Sequence, residues 1–353
     1  MSSDVSILMP VYNGMPYLEQ ALQSVFDQTL RTWQCVIVND GSRDGTRDYL
    51  ASIRDDRFLI LEQENAGISA AVNNGLRHCT GRYIARLDGD DIALPTRLEE
   101  QVAFLDDHPE VALVGTQVAP MGSCGVGSSL KLPTEHDAIM NALITGRHAV
   151  AHSSVMIRTD VLRQIGGYWS LSFGEEYDLM LRLGEVGRLA NLDRVLLHYR
   201  MHQSSMNGSA MRRMRTSVLY ACESARRRQN SLPPVSFADF QACRDARPRW
   251  QRLAETVDIH ARNQYRVALA ELYGGRRFRG AARLAWSAAC APQLTFERLI
   301  RIFTSDSASR NRSVSRDAQV AGAERAALLS ASNNKTVDAQ PQAKFDHISG
   351  AIG

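Results

Sequence analysis

The chain has 353 residues, 44% hydrophobic and 22% charged, with a formal net charge of +3. This is the make-up of a globular protein with room for one large domain or two moderate ones. It excludes a membrane-spanning protein, since no apolar run approaches the roughly 20 residues that cross a bilayer, and a disulfide scaffold, since the six cysteines are scattered and never fall at C-x-x-C spacing. The first strand is read as beginning at Val5, so no signal peptide is expected. The expectation is a cytoplasmic protein with its thiols reduced.

The small net charge hides a split. Residues 1–211 carry 17 basic and 26 acidic side chains, whereas Arg212–Arg301 holds eighteen arginines and no lysine, with seven acids through Phe303. Either a basic appendage faces an anionic surface, or an arginine-rich helical face is simply solvated.

In chain order, residues 5–11 form an apolar strand that ends in a turn at Asn13-Gly14. Pro16 can open a helix with Leu18, Leu22, Val25 and Phe26 on one face. A buried strand at 35–38 runs into Asn39-Asp40-Gly41-Ser42, followed by a short helix over 46–53 and a strand at 58–61. A helix over 67–78, a strand over 82–87, a helix from Pro95 to about Asp107 and a strand at 111–114 complete an alternating pattern. Such alternation implies a mostly parallel sheet covered on both faces, with ligands bound beyond the carboxyl ends of its strands. Residues 120–129 are Gly- and Ser-rich and read as a loop. Mixed structure returns with a strand at 153–158, a turn at Gly166-Gly167, a helix near 176–186 and a strand at 195–201. Residues 208–303 read as helical, broken at Pro233-Pro234 and Gly274-Gly275. Tyr265, Leu269, Leu272, Tyr273, Phe278 and Leu284 are expected in a hairpin packed on the first domain. The segment 304–353 has the composition of a disordered tail, with a helix expected at 317–330.

The strand at 82–87 delivers Asp88-Gly89-Asp90-Asp91 at its carboxyl end. Three adjacent carboxylates repel one another unless a hard cation such as Mg²⁺ or Mn²⁺ offsets the charge, commonly together with substrate phosphates. Asp and Gly also make ordinary solvated turns. Several further elements accompany the cluster in order: Pro10-Val11-Tyr12-Asn13, Asn39-Asp40-Gly41-Ser42, Asn65-Ala66-Gly67, Asn73-x-Gly75, His152-Ser153-Ser154 and Glu175-Glu176-Tyr177-Asp178-Leu179. This run, over roughly residues 4–203, closely resembles the family 2 glycosyltransferases, which are inverting, nucleotide-sugar-dependent enzymes of the GT-A fold.

The resemblance implies an α/β, GT-A type fold: a mostly parallel sheet flanked by helices, Rossmann-like, over residues 1–207. A basic α-helical appendage over 208–303 and the tail over 304–353 would follow. It implies a UDP-sugar donor, with Asp40 accepting the N3–H of uracil; a dTDP-sugar meets the same requirement, because thymine presents the same group. Pro10, Val11, Tyr12, Asn13, Asn65, Gly67 and Asn73 would complete the nucleotide site. Asp88 would contact ribose or the metal's water shell and Asp90 would ligate Mg²⁺ or Mn²⁺, with Asp91 stabilising the loop. His202, in Arg200-Met201-His202, is a further candidate for the metal or the diphosphate, and His152 is expected to be structural. The base that deprotonates the acceptor would be Glu176, with Glu175 and Asp178 as second choices.

Two positions depart from the family pattern. Glu176 stands where the family usually has Asp, which lengthens the reach of the carboxylate. Val72 stands where many relatives have an arginine directed at the diphosphate, leaving Arg86 or a later basic residue as the substitute. The Q-x-x-R-W motif of processive synthases is missing, which implies transfer of a single hexose onto a saccharide or lipid-linked acceptor in bacterial exopolysaccharide, O-antigen or lipopolysaccharide assembly. The arginines after 208 would favour peripheral association with the inner face of the cytoplasmic membrane, and no motif for nucleic acid accompanies them. A nucleotidyltransferase, or a non-catalytic sugar-nucleotide-binding or scaffold protein, is the alternative reading.

Overall fold

The computed structural model describes residues 3–169, 174–201 and 208–291, all within the compact unit Met1–Ile302. Outside the described residues lie His202, the tail and its expected helix.

β1 (Val5–Val11) is buried at every residue, as a central parallel strand covered on both faces must be. α1 (Leu18–Phe26) follows, with Leu18, Ala21, Leu22 and Val25 buried at helical spacing. Burying Leu18, Leu22 and Val25 stabilises by on the order of 1.5–3 kcal/mol each. Next come β2 (Trp33–Asp40), α2 (Thr46–Ser52), β3 (Phe58–Gln63), α3 (Ile68–Leu76) and β4 (Tyr83–Arg86). β5 (Ile92–Ala93) and α4 (Arg97–Asp107) lead into β6 (Val111–Gly122), the hairpin strand β7 (Gly125–Val126) and α5 (His136–Ile144). A 3₁₀ turn at His152–Ser154 precedes β8 (Met156–Arg158), α6 (Thr159–Gln164), α7 (Glu175–Val186) and β9 (Arg188–Arg200). The helices α8 (Gly208–Gln229), α9 (Phe237–Asp245), α10 (Arg249–Tyr273) and α11 (Arg277–Cys290) complete the described chain.

The strands form one sheet in the order β3-β2-β1-β4-β8-β6-β9-β5, with β7 beside β6. β3, β2, β1 and β4 are mutually parallel, as are β6 and β9, whereas β8 and β5 pair antiparallel with their neighbours. Hydrophobic cores lie on both faces. One contains Leu18, Leu22, Leu98 and Leu105 of α1 and α4. The other contains Val72, Ile139, Leu179 and Leu183 of α3, α5 and α7. α8 adds Val218, Ala221, Cys222 and Ala225 to that second core, so it is built into the body that carries the sheet.

Several expectations are corrected. Pro16 and Pro95 each stand two residues ahead of their helices, in the turns that start them. The stretch 120–129 is not all loop: β6 continues through Gly122 and folds back onto β7, with Met121 opposite Val126. Its glycines admit a neighbour, since a Cβ at Gly122 would lie 2.6 Å from the Tyr273 carbonyl oxygen. Cys124 donates its backbone N–H to that same carbonyl at 3.0 Å, pinning the end of α10 to the hairpin. The first part of the expected 153–158 strand is the 3₁₀ turn, and β9 starts seven residues earlier than the alternation indicated. An unforeseen break at Ala246-Arg247-Pro248 separates α9 from α10. α10 and α11 do form a hairpin, but Phe278 points outward, 95% exposed.

Candidate functional site

β2, β1 and β4 run side by side and parallel, so their carboxyl ends present Asp40, Tyr12 and the Asp88–Asp91 turn along one edge. With β1 between them, β2 and β4 are two strand spacings apart, about 10 Å. The turn is drawn close to the end of β1: a Cβ at Gly89 would come within 3.2 Å of Val11 Cγ2.

Asp40 is buried and its carboxylate is held in place. Oδ1 accepts from Gln63 Nε2 (2.7 Å) and the Ala66 N–H (2.8 Å), and Oδ2 accepts from the Gly67 N–H (2.9 Å). Asn65 Nδ2 donates to the Asp40 carbonyl at 3.0 Å. Asn65 and Gly67 therefore orient Asp40 and leave one acceptor position on its Oδ2. Asn13, at φ 51°, accepts from the Arg43 N–H through Oδ1, and its own N–H donates to Ser42 Oγ. This ties the loop after β1 to the loop after β2. Pro10 and Val11 are buried at the end of β1, and Tyr12 beyond them is 51% exposed. Asn73 spends both ends of its amide on the Tyr168 backbone, which holds the Gly166-Gly167 turn.

In the acidic turn, the carboxylates of Asp88, Asp90 and Asp91 lie within 4.8 Å of one another. Asp88 Oδ1 pairs with Arg86 Nη2 at 2.6 Å, and the Asp88 N–H donates to Ser153 Oγ at 3.0 Å. Asp91 is fully buried: Oδ1 accepts the Arg200 N–H at 2.9 Å, and Oδ2 has no hydrogen-bond partner among the described residues. Burial, then the charges of Asp90 and Asp88, hold its carboxyl well above the ordinary range. A buried oxygen without a donor, inside a set of three carboxylates, fits a hard divalent cation. Asp91 thus joins Asp88 and Asp90 as a candidate ligand, besides steadying the loop as the sequence reading had it.

Arg200 clamps the same turn. Its Nε donates to the Asp90 carbonyl at 2.7 Å, Nη2 donates to Gln20 Oε1, and its guanidinium stacks over Tyr17. Arg86 is not positioned as a free diphosphate ligand. Its buried guanidinium donates to the Leu8 and Leu87 carbonyls as well as to Asp88.

α7 brings in the acidic pair at its N-terminus, where the helix dipole favours negative charge. Glu175 is buried, and burial followed by the neighbouring Glu176 pushes its carboxyl up to about 8. Glu176 is half-buried, and burial raises its carboxyl too, with the Asp88 charge adding to the effect. Asp178 faces elsewhere: it is fully buried and pairs with Arg182 Nε at 2.6 Å. Arg182 in turn donates to the Ile165 and Gly167 carbonyls. His152 Nε2 lies 2.9 Å from Tyr168 Oη, and burial plus the nearby Arg86 charge lower its imidazole to about 3, so it is neutral and structural.

One charge was not anticipated. Arg266 of α10 stands close enough to Glu176 and Tyr199 to favour their ionised forms. It shares a helix face with Tyr273, seven residues on, and Tyr273 is the residue that pins α10 to the β6–β7 hairpin. That spacing could have found it only with the Tyr273 contact already known.

Comparisons with known proteins point to one family and one fold. Residues 6–166 match the family model described as Glycosyl transferase family 2. The chain is 35% identical over 209 residues to the putative glycosyltransferase EpsE of Bacillus subtilis, covering 57% of this chain and 73% of that protein. It is 32% identical over 208 residues to the amylovoran biosynthesis glycosyltransferase AmsE of Erwinia amylovora, covering 57% of this chain and 78% of that protein. Among solved structures, S. aureus TarS 1-349 in complex with UDP-GlcNAc aligns with a TM-score of 0.51 at 15% identity, over 87% of this chain and 91% of that one. That likeness bears out the expected fold.

Proposed function

The chain belongs to glycosyl transferase family 2, and from that membership we propose that it moves a single hexose from a UDP-sugar to a saccharide or lipid-linked acceptor, with inversion at the anomeric carbon. The observation that carries the reading is the gathering of Asp88, Asp90 and Asp91 within 4.8 Å on the strand edge that also presents Asp40 and Tyr12. The amylovoran biosynthesis role named for AmsE supports a place in bacterial polysaccharide assembly.

The remaining acceptor position on Asp40 Oδ2 takes the N3–H of uracil, which cytosine lacks, and the exposed Tyr12 ring covers the base. Asp90 and Asp91, with Asp88, would hold Mg²⁺ or Mn²⁺. When bound, the cation offsets the charge that develops on the departing nucleoside diphosphate. Arg200 and Arg86 keep the three carboxylates in register from behind. Arg266 supplies a positive charge near Glu176 and Tyr199 and is the candidate for the part expected of an arginine at position 72.

Glu176 accepts the proton of the acceptor hydroxyl as that oxygen attacks the anomeric carbon from the face opposite the diphosphate. Burial and the Asp88 charge raise its affinity for a proton, which strengthens it as a base. Glu175 stays protonated up to about pH 8 and so avoids a second negative charge beside the base.

Nucleoside-diphosphate release from a panel of UDP-, dTDP- and GDP-sugars, with Mn²⁺ and then with chelator, tests this reading. Metal-dependent release from a UDP-sugar is expected. Release that ignores chelator, or that occurs only from GDP-sugars, would overturn it.

A further inference from the structure

Away from the aspartate turn, α8, α9 and the first part of α10 enclose a cavity of about 460 Å³. Five arginines line it, Arg212, Arg244, Arg247, Arg249 and Arg252, against the two carboxylates Asp245 and Glu255. Glu255 is already spent, since Arg244 and Arg247 both close on it, the latter at 2.6 Å. Among the described residues, Arg212 reaches only the Thr256 hydroxyl, at 3.4 Å, and Arg249 and Arg252 have no ion-pair partner. The lining thus carries more arginines than carboxylates, and burial, then the adjacent Arg247, lowers the Arg244 guanidinium to about 10. Guanidinium groups in a concave site suit phosphate oxygens, which they bind in two-pronged fashion.

Beside the recess runs an apolar ridge. Trp250, Leu253 and Val257 are 69%, 65% and 38% exposed. They fall at i, i+3 and i+7 on α10, hence on one face. Leu253 belongs both to this ridge and to the cavity wall. Exposed tryptophan and leucine interleaved with arginine is the pattern of a helix lying in a membrane interface. No helix among the described residues is long and apolar enough to cross a membrane, so the surface would lie on a bilayer.

We propose that this face docks on an anionic phospholipid surface, one lipid phosphate seated in the arginine-lined cavity and Trp250 and Leu253 sunk among the headgroups. The proposal goes beyond the transfer reaction and does not depend on which sugar is moved. It would hold the enzyme at a membrane.

The test is co-sedimentation of the full chain with vesicles of phosphatidylglycerol and phosphatidylcholine, and with phosphatidylcholine alone, at physiological ionic strength. Two variants accompany it: Arg212→Gln/Arg249→Gln/Arg252→Gln, and Trp250→Ser/Leu253→Ser. The second removes only exposed apolar groups and so keeps the test valid if the first fails to fold, which circular dichroism reports. The wild type should bind the anionic vesicles and leave the neutral ones. At roughly fivefold per arginine near an anionic surface, the triple variant should lose about a hundredfold in affinity. The Trp250/Leu253 variant should also detach. The proposal is overturned if the wild type ignores anionic vesicles, or if either folded variant binds them as the wild type does. It is equally overturned if inorganic phosphate or diphosphate saturates the cavity while vesicles stay unbound, which would make this a soluble-anion site.

Discussion

Arg86 Nη2 stands 2.6 Å from Asp88 Oδ1, joining the acidic turn to the middle of the sheet through a buried guanidinium. The same guanidinium holds the Leu8 and Leu87 carbonyls, so one side chain fixes the end of β4 against β1 and aims the first carboxylate of the cluster. Removing it would leave two carbonyls and a half-buried carboxylate without their donor. Arg86→Met should therefore lose about 2–4 kcal/mol in denaturant unfolding, at the lower end because Asp88 is partly solvated. Arg86→Lys should recover only a fraction, since one ammonium cannot span three acceptors. An unchanged unfolding midpoint in Arg86→Met would refute the clamp.

Stability should fall with rising pH through the group at the start of α7. The Glu175 carboxyl lies near 8 in the folded protein against an ordinary value of 4.5. A raised carboxyl favours folding while it is protonated, so its contribution is complete below about 4.5 and is lost as pH climbs to about 8. Glu175→Gln should flatten that decline and stabilise the protein at pH 8. Melting temperatures of both proteins from pH 5 to 8.5 would check this; parallel curves would remove the explanation.

Metal binding should be readable without turnover. A ligand that binds only the folded state at a hundred times its Kd stabilises by about 2.7 kcal/mol. Mn²⁺ at that excess should raise the wild-type melting temperature, and the shift should vanish in Asp90→Asn. A shift of equal size in the variant would place the metal elsewhere.

Base selection should follow Asp40. Asp40→Asn would set an amide among donors, from Ala66, Gly67 and Gln63, that now point at a carboxylate. A stability loss of roughly 1–3 kcal/mol is expected, together with loss of the preference for UDP over CDP in titration calorimetry. Retained preference would mean that another group reads the pyrimidine.

Much of this was legible in the sequence because it is local. Apolar strands such as Val5–Val11 and Trp33–Asp40 run straight into candidate site residues, Tyr12-Asn13 after the first and Asn39-Asp40 at the end of the second, so strand and chemistry are adjacent in the chain. What the sequence hid is non-local. β6 could not be followed past Val114 because Gly115, Pro120 and Gly122 imitate a loop, whereas the pairing with β9 overrides their weak strand preference. Arg200 was visible as part of a motif, but its grip on Asp90 and Asp91 crosses about 110 positions of the chain. Arg266 belongs to α10, whose end is pinned at Tyr273 to a hairpin that read as a loop. Phe278 shows the converse error: hydrophobicity alone does not tell a core residue from an exposed one.

The central claim is that Glu176 removes the acceptor proton in a site that binds its donor independently. Turnover and UDP-sugar affinity of wild type and Glu176→Gln, measured side by side, test it most directly. The account predicts turnover reduced by about 10²–10⁴-fold with donor affinity unchanged. Full turnover in Glu176→Gln, or equal loss of turnover and donor binding, would contradict it.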